Sequence, residues 1–221
     1  MTEIQENITK LQERISAGVK LVAVSKFKPK ELLLEAYEIG FRAFGENYVQ
    51  ELVDKYEALP KDIEWHFIGH LQTNKVKYIA PFVHLIHSVD SFKLLKEIDK
   101  QAAKNERVIE CLMQIYIAKE DSKTGMDKAE YLEMLESGEF KLLKNIKVKG
   151  LMGMSTFTDN MDLVREEFRS LKNLFEQTRK IQADNFLLQE ISMGMSGDWQ
   201  LAVEVGSTMV RVGSSIFGSR G

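Results

Sequence analysis

Lys26 is the residue whose type and position point most directly to chemistry. It follows the apolar run 21–24 and one serine, so we expect it at the end of a buried strand. A lysine at such an apolar rim loses hydration, which lowers its pKa and raises the fraction of free amine. A free amine is what imine formation with an aldehyde requires. The alternative is a lysine whose amine simply reaches solvent from the strand end.

Two segments rich in small residues, 193–198 and 213–218, give a second chemical signal. Small residues allow backbone N–H groups to approach a phosphate, and a helix N-terminus adds favourable partial charge. Ser192 and Ser214 would add hydroxyl donors. Ordinary turns would explain either segment alone, but together they favour a phosphate site.

The elements that must position these residues alternate between short apolar segments and longer amphipathic ones. We predict strands at 21–24, 41–44, 64–68, 83–87, 108–117, 148–152, 186–191 and 209–212. We predict helices at 29–40, 46–59, 71–80, 91–105, 127–137, 161–181 and 198–205, with an extra helix before the first strand. Alternating strands and helices indicate a parallel sheet.

Eight strand–helix units of roughly 28 residues each suit a compact α/β fold, a (β/α)8 TIM-type barrel. We expect it to form a single domain over residues 1–221. A doubly wound open sheet is the alternative. The sequence has neither a G-x-G-x-x-G nor a G-x-x-x-x-G-K-[ST] motif, so a nucleotide site of the Rossmann or P-loop type has no support.

In a (β/α)8 barrel the working face is built from residues that follow the strands. Polar residues and glycines gather at those positions: Ser25, Lys26, 45–48, His66, Gly69, His70, His87, Ser88, Asp90, 153–155, 192–196, Arg211 and 213–215. Arg211 is expected to point into the barrel, because Val210 and Val212 point the other way. Its partner would be a carboxylate such as Glu190 or a ring nitrogen of a ligand.

The histidines and the cysteine favour no metal or triad chemistry. His66, His70, His84 and His87 show no metal-binding spacing, and we expect His66 and His70 on one side of a strand in structural roles. The single cysteine, Cys111, excludes an intramolecular disulfide and a cysteine-based zinc site. No serine–histidine–aspartate triad can be assembled.

Charge and hydropathy narrow the classes of partner. The chain carries 30 basic and 33 acidic residues, for a net charge of −3, which disfavours general nucleic-acid binding. No apolar run approaches the ~20 residues that cross a bilayer. The polar N-terminus resembles no signal peptide. We therefore expect a cytoplasmic protein with no membrane partner, and a monomer because nothing marks a dimer face.

Six motifs together resemble one known family: 24–26, 44–51, 65–72, 87–90, 192–196 and 211–214. They are similar to motifs of the pyridoxal phosphate homeostasis proteins, small relatives of alanine racemase. The resemblance implies a barrel of the alanine racemase N-terminal type, the type III fold of pyridoxal 5′-phosphate (PLP) proteins. It also implies a Schiff base between PLP and Lys26.

The other site residues follow from the same resemblance. Arg211 would bond the pyridine nitrogen, and the phosphate would be held by Ser192, Gly213 and Ser214. The pocket around the ring would be lined by Asn47, His66 and Ser88, with Met154 counted among the cofactor-binding residues.

The function that follows is PLP homeostasis without efficient turnover of amino acids. An arginine at the ring nitrogen disfavours its protonation and leaves a weaker electron sink. We also expect the chain to lack the C-terminal β domain that supplies racemases with a second base. Recipients of PLP would be PLP-dependent apo-enzymes. One alternative is a PLP-dependent racemase or decarboxylase of a small amino acid, with His66 or another residue at the barrel mouth as base. The other is a barrel enzyme for a phosphorylated metabolite without PLP.

Overall fold

Eight parallel strands close into a barrel in the order in which they occur along the chain. The computed structural model describes residues 1–119 and 124–218. The strands are β1 (Lys20–Val24), β2 (Ala43–Glu46), β3 (Glu64–Phe67), β4 (Leu85–Val89), β5 (Ile109–Gln114), β6 (Ile146–Met152), β7 (Phe186–Ser192) and β8 (Met209–Val212). Because β8 pairs with β1, the sheet has no edge. The predicted barrel is confirmed, and the open-sheet alternative is wrong.

A helix follows every strand, and one extra helix precedes the first. The helices are α1 (Glu3–Arg14), α2 (Lys30–Glu38), α3 (Val49–Ala58), α4 (Val76–Ile79), α5 (Phe92–Lys104), α6 (Lys128–Glu136), α7 (Met161–Thr178), α8 (Trp199–Val205) and α9 (Ser214–Phe217). Short 3-10 turns lie at Thr73–Lys75 and Phe140–Leu142. Within the described ranges, no helix has the length and apolar composition of a membrane span.

Strands β2 and β4 each begin and end two residues later than the sequence pattern predicts. β2 was expected at 41–44, but Gly45 and Glu46 continue the ladder opposite His66 and Phe67. A Cβ added at Gly45 would lie 3.0 Å from a methyl carbon of Val22, so only glycine fits there without a shift. Gly45 therefore acts as a close-packing residue inside a strand and not as the breaker that its type suggests.

The core has two layers, one on each side of the strands. Inside the barrel lies a small apolar cluster: Val22, Leu85, Leu112, Met152 and Met209. The larger cluster packs between the strands and the surrounding helices. The small cluster fills only part of the interior, and polar side chains occupy the rest.

Candidate functional site

The loops after β1 and β8 lie side by side at the carboxyl end of the barrel. Register places Val22 opposite Arg211. A Cβ added at Gly213 would lie 3.0 Å from the carbonyl oxygen of Val24. The Nζ of Lys28 donates a 3.0 Å hydrogen bond to the carbonyl of Phe217, at the end of α9. The segments that carry Lys26 and Gly213 are thus neighbours in space.

Lys26 stands in a tight turn directly after β1. The turn is closed by a 3.0 Å hydrogen bond from the N–H of Lys28 to the carbonyl of Ser25. Phe27 adopts a φ of 61°, a left-handed conformation that costs a non-glycine residue roughly 1–2 kcal/mol. The N–H of Phe27 donates to a carboxylate oxygen of Glu51 at 2.7 Å, which holds this conformation. Lys26 itself is half-buried.

A buried lysine on α3 fixes that turn. The Nζ of Lys55 donates 2.7 Å hydrogen bonds to the carbonyl of Ser25 and to one carboxylate oxygen each of Glu46 and Glu51. All three donors of the ammonium are therefore used. Burial raises the pKa of Glu46, and the neighbouring Lys55 opposes that rise. Because Ser25 and Phe27 flank Lys26, this network orients the segment on both sides of it.

Arg211 points into the barrel, as the strand alternation predicts. Its guanidinium donates to Ser192 Oγ at 2.5 Å and to the carbonyl of Gly153 at 3.2 Å. Glu190 is not its partner, which corrects the prediction, because that carboxylate accepts a 2.6 Å hydrogen bond from Thr208. Burial lowers the pKa of Arg211 to about 10, so it remains a cation at neutral pH.

A chain of hydrogen bonds continues from Arg211 through the barrel. Ser192 Oγ lies 3.0 Å from Nδ1 of His87, and Nε2 of His87 lies 2.8 Å from Nδ1 of His66. Burial lowers the pKa of both histidines well below the ordinary value, so both rings are neutral. Nε2 of His66 is buried and has no hydrogen-bond partner. His66 therefore lies deeper in the barrel than Ser192 and is linked to it through His87.

His66 and His70 do not share a side, which corrects a second expectation. His66 is fully buried, whereas the side chain of His70 is 66% exposed and bonds Asp90 at 3.1 Å. The polypeptide leaves β3 after Phe67, so strand alternation no longer applies at His70.

Three further predicted site residues are Asn47, Ser88 and Met154, of which the first two each carry a buried oxygen without a hydrogen-bond partner. These atoms are Oδ1 of Asn47 and Oγ of Ser88. Met154 is half-buried and packs against the apolar cluster inside the barrel. Buried polar atoms that lack a partner cost about 1–3 kcal/mol each, which favours a missing partner such as a ligand or water.

Side chains tie neighbouring loops together around this end of the barrel. Asp198 accepts hydrogen bonds from Ser155 Oγ at 2.8 Å and from the N–H of Met195 at 2.6 Å, joining the loops after β6 and β7. The N–H of Gly213 donates to Ser196 Oγ at 3.3 Å, joining the loops after β7 and β8. The rim is thus built from interlocked loops.

The role of Lys55 was not predicted from the sequence. Glu51 and Lys55 are four residues apart on a helix, a spacing typical of a solvated surface pair. One signal was available, because an acidic residue at the end of a buried strand needs a cation, and the helix that follows β2 carries Lys55. The hydrogen-bonded chain through Ser192, His87 and His66 had no sequence signal, since its members are far apart in the chain.

Comparisons with known proteins agree on the family. The family model for the alanine racemase N-terminal domain matches residues 1–221. The pyridoxal phosphate homeostasis protein of Aquifex aeolicus is 42% identical over 225 residues, which cover 100% of this chain and 96% of that protein. The human pyridoxal phosphate homeostasis protein is 40% identical over 214 residues, covering 91% of this chain and 76% of that protein.

Solved structures give the same answer at the level of the fold. PipY of Synechococcus elongatus, in a structure with PLP bound, has a TM-score of 0.87 and 34% identity, covering 97% of this chain and all of PipY. An alanine racemase of Clostridium difficile has a TM-score of 0.78 at 10% identity and is covered over 57% of its length, so it supports the fold alone. The fold, the motifs around the barrel mouth and the full-length similarity together show that this chain belongs to the pyridoxal phosphate homeostasis protein family.

Proposed function

We propose that this protein binds PLP at the carboxyl end of the barrel and serves intracellular PLP homeostasis. Lys26 would hold the cofactor covalently as an imine, and Arg211 would donate a hydrogen bond to the pyridine nitrogen. The phosphate would lie against Gly213 and Ser214, where the first N–H groups of α9 have no intrahelical acceptors. The chain's relatives carry this function in their names, and PipY has been solved with PLP.

The residues present fit the cofactor. A Cβ at Gly213 would press on the carbonyl of Val24, so glycine keeps the space beside β1 open. The orphaned oxygens of Asn47 and Ser88 are polar atoms that a bound polar ligand can satisfy. Ser192 has less capacity to bind the phosphate. Its hydroxyl already accepts a hydrogen bond from Arg211 and bonds His87, which leaves one position for a further contact.

Arg211 is the observation that favours a binding protein over an efficient enzyme. PLP supplies an electron sink whose strength depends on protonation of its ring nitrogen. Arg211 is a buried cation whose pKa of about 10 keeps it charged at neutral pH. A fixed cation that donates to the ring nitrogen opposes protonation of that nitrogen. The side chains around Arg211 thus favour retention of PLP over carbanion chemistry.

The finer parts of this proposal concern what the protein does with PLP. We infer that it stores PLP and releases it to PLP-dependent apo-enzymes, and that it acts as a monomer. The hydrogen bonds that join the loops at the rim support storage, because they hold the loops around the proposed site in place.

The first experiment locates the cofactor. The purified protein is reduced with borohydride and the labelled peptide is mapped, with absorption spectra recorded before and after. The label is expected on Lys26, and Lys26→Ala should lose the visible band while Lys30→Ala, a change outside the site, keeps it. A label elsewhere, or an unchanged band in Lys26→Ala, would overturn the covalent assignment. A protein without any such band would favour the enzyme of a phosphorylated metabolite.

The second experiment separates homeostasis from catalysis. The PLP-loaded protein is incubated with L- and D-amino acids, and chirality and keto-acid formation are followed. We expect no turnover at the rates of ordinary enzymes, whereas roughly 1 s⁻¹ or faster would establish the racemase or decarboxylase alternative. Activation of a PLP-dependent apo-enzyme by the loaded protein, compared with the Lys26→Ala variant, tests delivery.

A further inference from the structure

Three potential metal ligands meet at the opposite end of the barrel from Lys26. Glu64 is the first residue of β3, His66 lies two residues later on the same face of that strand, and His84 directly precedes β4. One ligand atom of each lies within 4.8 Å of the others. Within residues 1–119 and 124–218, this is the one cluster of three such residues.

The buried member of the cluster, His66, has one ring nitrogen without a hydrogen-bond partner. Nδ1 of His66 is occupied by its 2.8 Å hydrogen bond to His87, so Nε2 is the nitrogen that His66 can offer. That atom is buried and has no hydrogen-bond partner. A neutral imidazole that donates through Nδ1 carries its lone pair on Nε2, which is the form that binds metals.

The geometry needs only small movements to close around an ion. Ligand atoms about 2.0–2.2 Å from a tetrahedral Zn²⁺ lie roughly 3.4 Å apart. Nε2 of His84 already lies 3.9 Å from a carboxylate oxygen of Glu64. Both side chains are about 40% exposed, so their rotamers can adjust, whereas His66 is fixed by its surroundings.

Two of the three ligands, Glu64 and His84, reach solvent, and the ammonium of Lys20 competes for the site. Glu64 and Lys20 both line an open groove of about 450 Å³ at this end of the barrel. Nζ of Lys20 lies 4.0 Å from a carboxylate oxygen of Glu64. The Lys20 side chain is 41% exposed, so a divalent ion can displace its ammonium into solvent.

We propose that Glu64, His66 and His84 form a binding site for a divalent transition-metal ion of the Zn²⁺ class at the amino end of the barrel. Two imidazoles and one carboxylate, without a thiolate, suit Zn²⁺, Co²⁺ or Ni²⁺ and disfavour Cu⁺. Three protein ligands leave the fourth position to water. With the metal bound, His87 would orient His66 by accepting the hydrogen bond from its Nδ1–H. The site lies at the other end of the barrel from Lys26, and the proposal does not rest on the proposed function.

The test is a titration of the chelator-treated full chain with Zn²⁺, followed by calorimetry, and with Co²⁺, followed by its visible spectrum. We expect one equivalent of metal, with nitrogen coordination in the Co²⁺ spectrum. His84→Ala and Glu64→Gln should each weaken binding by roughly tenfold or more. Lys20→Met should strengthen it, because it removes the competing cation, and this gain is not expected from adventitious surface binding.

Two controls keep the result specific. His70→Ala removes an exposed histidine at the other end of the barrel and should leave the affinity unchanged. Lys26→Ala should still take up one equivalent of metal, which excludes chelation by PLP. The proposal is overturned if the unaltered chain takes up no metal, if His84→Ala and Glu64→Gln bind as tightly as the unaltered chain, or if His70→Ala alone abolishes binding.

Discussion

Two cationic side chains are buried among residues 1–119 and 124–218, and their surroundings are opposite. Lys55 and Arg211 are each 3% exposed. Lys55 lies between the sheet and α3 and donates to two carboxylates and a carbonyl. Arg211 lies inside the barrel, and its hydrogen bonds go to a hydroxyl and a carbonyl, both neutral. Only a more distant carboxylate, Asp198, favours its charge.

This contrast separates a structural cation from an available one. The charge of Lys55 is balanced by direct contact, so its role is complete without a ligand: it holds the turn around Lys26. The charge of Arg211 is not balanced by contact, and burial lowers its pKa to about 10. A buried group in that condition gains from a ligand that accepts a hydrogen bond, which is what a pyridine nitrogen supplies.

Replacing the balanced cation should have the largest effect on stability. Lys55→Met leaves the buried carboxylate of Glu46 without its cation, and breaking a buried pair in this way costs about 3–5 kcal/mol of unfolding free energy. Urea denaturation of the PLP-free protein measures the loss. A second substitution, Glu46→Gln, should restore part of it.

The matched control for Lys55→Met is Lys172→Met on α7. Lys172 pairs with Glu176 at the same four-residue spacing and 2.8 Å, but at the surface. The cost there should not exceed about 0.5 kcal/mol. Equal losses in the two variants would contradict the structural role of Lys55.

Removing the neutral acceptor of Arg211 should have an intermediate effect. Ser192→Ala leaves one N–H of a buried guanidinium and Nδ1 of His87 without partners, at a cost of about 1–3 kcal/mol. The same urea experiment measures it. Ser196→Ala, which removes a longer 3.3 Å hydrogen bond at the rim, is the comparison and should cost less. No loss in Ser192→Ala would show that the chain from Arg211 to His66 adds nothing to stability.

Alkaline pH should stabilise the native protein relative to an Arg211→Met variant. Below about pH 10 the guanidinium is charged in both the folded and unfolded states. Above that pH the folded state releases the proton first, so the unfolded state binds more protons and the unfolding free energy rises with pH. One pH unit above the folded pKa, the difference should have grown by about 1.4 kcal/mol. Urea midpoints of both proteins at pH 8 and 11 measure it, and a falling difference would contradict the lowered pKa.

At neutral pH, Arg211→Met should have the smallest effect on stability. The loss of two hydrogen bonds is offset by the removal of an unbalanced buried charge, so we expect a change within about 1 kcal/mol. The affinity for PLP should nevertheless fall, as fluorescence titration can show. A loss above about 3 kcal/mol would place Arg211 with Lys55 as a structural cation.

The fold and the inward direction of Arg211 were predicted from the sequence, because both follow from local patterns. Alternation of apolar and amphipathic segments specifies a parallel sheet, and alternation along β8 turns Arg211 inward. The strand limits were wrong where glycine and serine lie inside strands, as at Gly45 and Ser88, because these types usually mark turns.

The partners of the site residues were not predictable in the same way. Glu190 was a reasonable partner for Arg211 by charge, yet Ser192, two residues farther along the same face of β7, lies at the height of the guanidinium. His66 and Ser192 are linked only because β3, β4, β7 and β8 enclose a common interior. Such contacts depend on closure and register of the barrel, which no short segment encodes.

The line of neutral rings inside the barrel has a direction, because each imidazole carries one proton. If His66 donates to His87, then His87 donates to Ser192, and the serine hydroxyl is left to donate to an acceptor at the mouth. If the serine donates inward, every proton shifts and His66 presents an N–H at the far end. A metal ion at Nε2 of His66 would favour the first arrangement. An anionic ligand that accepts from the Ser192 hydroxyl at the mouth would favour the same arrangement. Each occupant would then strengthen the other by an equal factor, without any movement of the backbone.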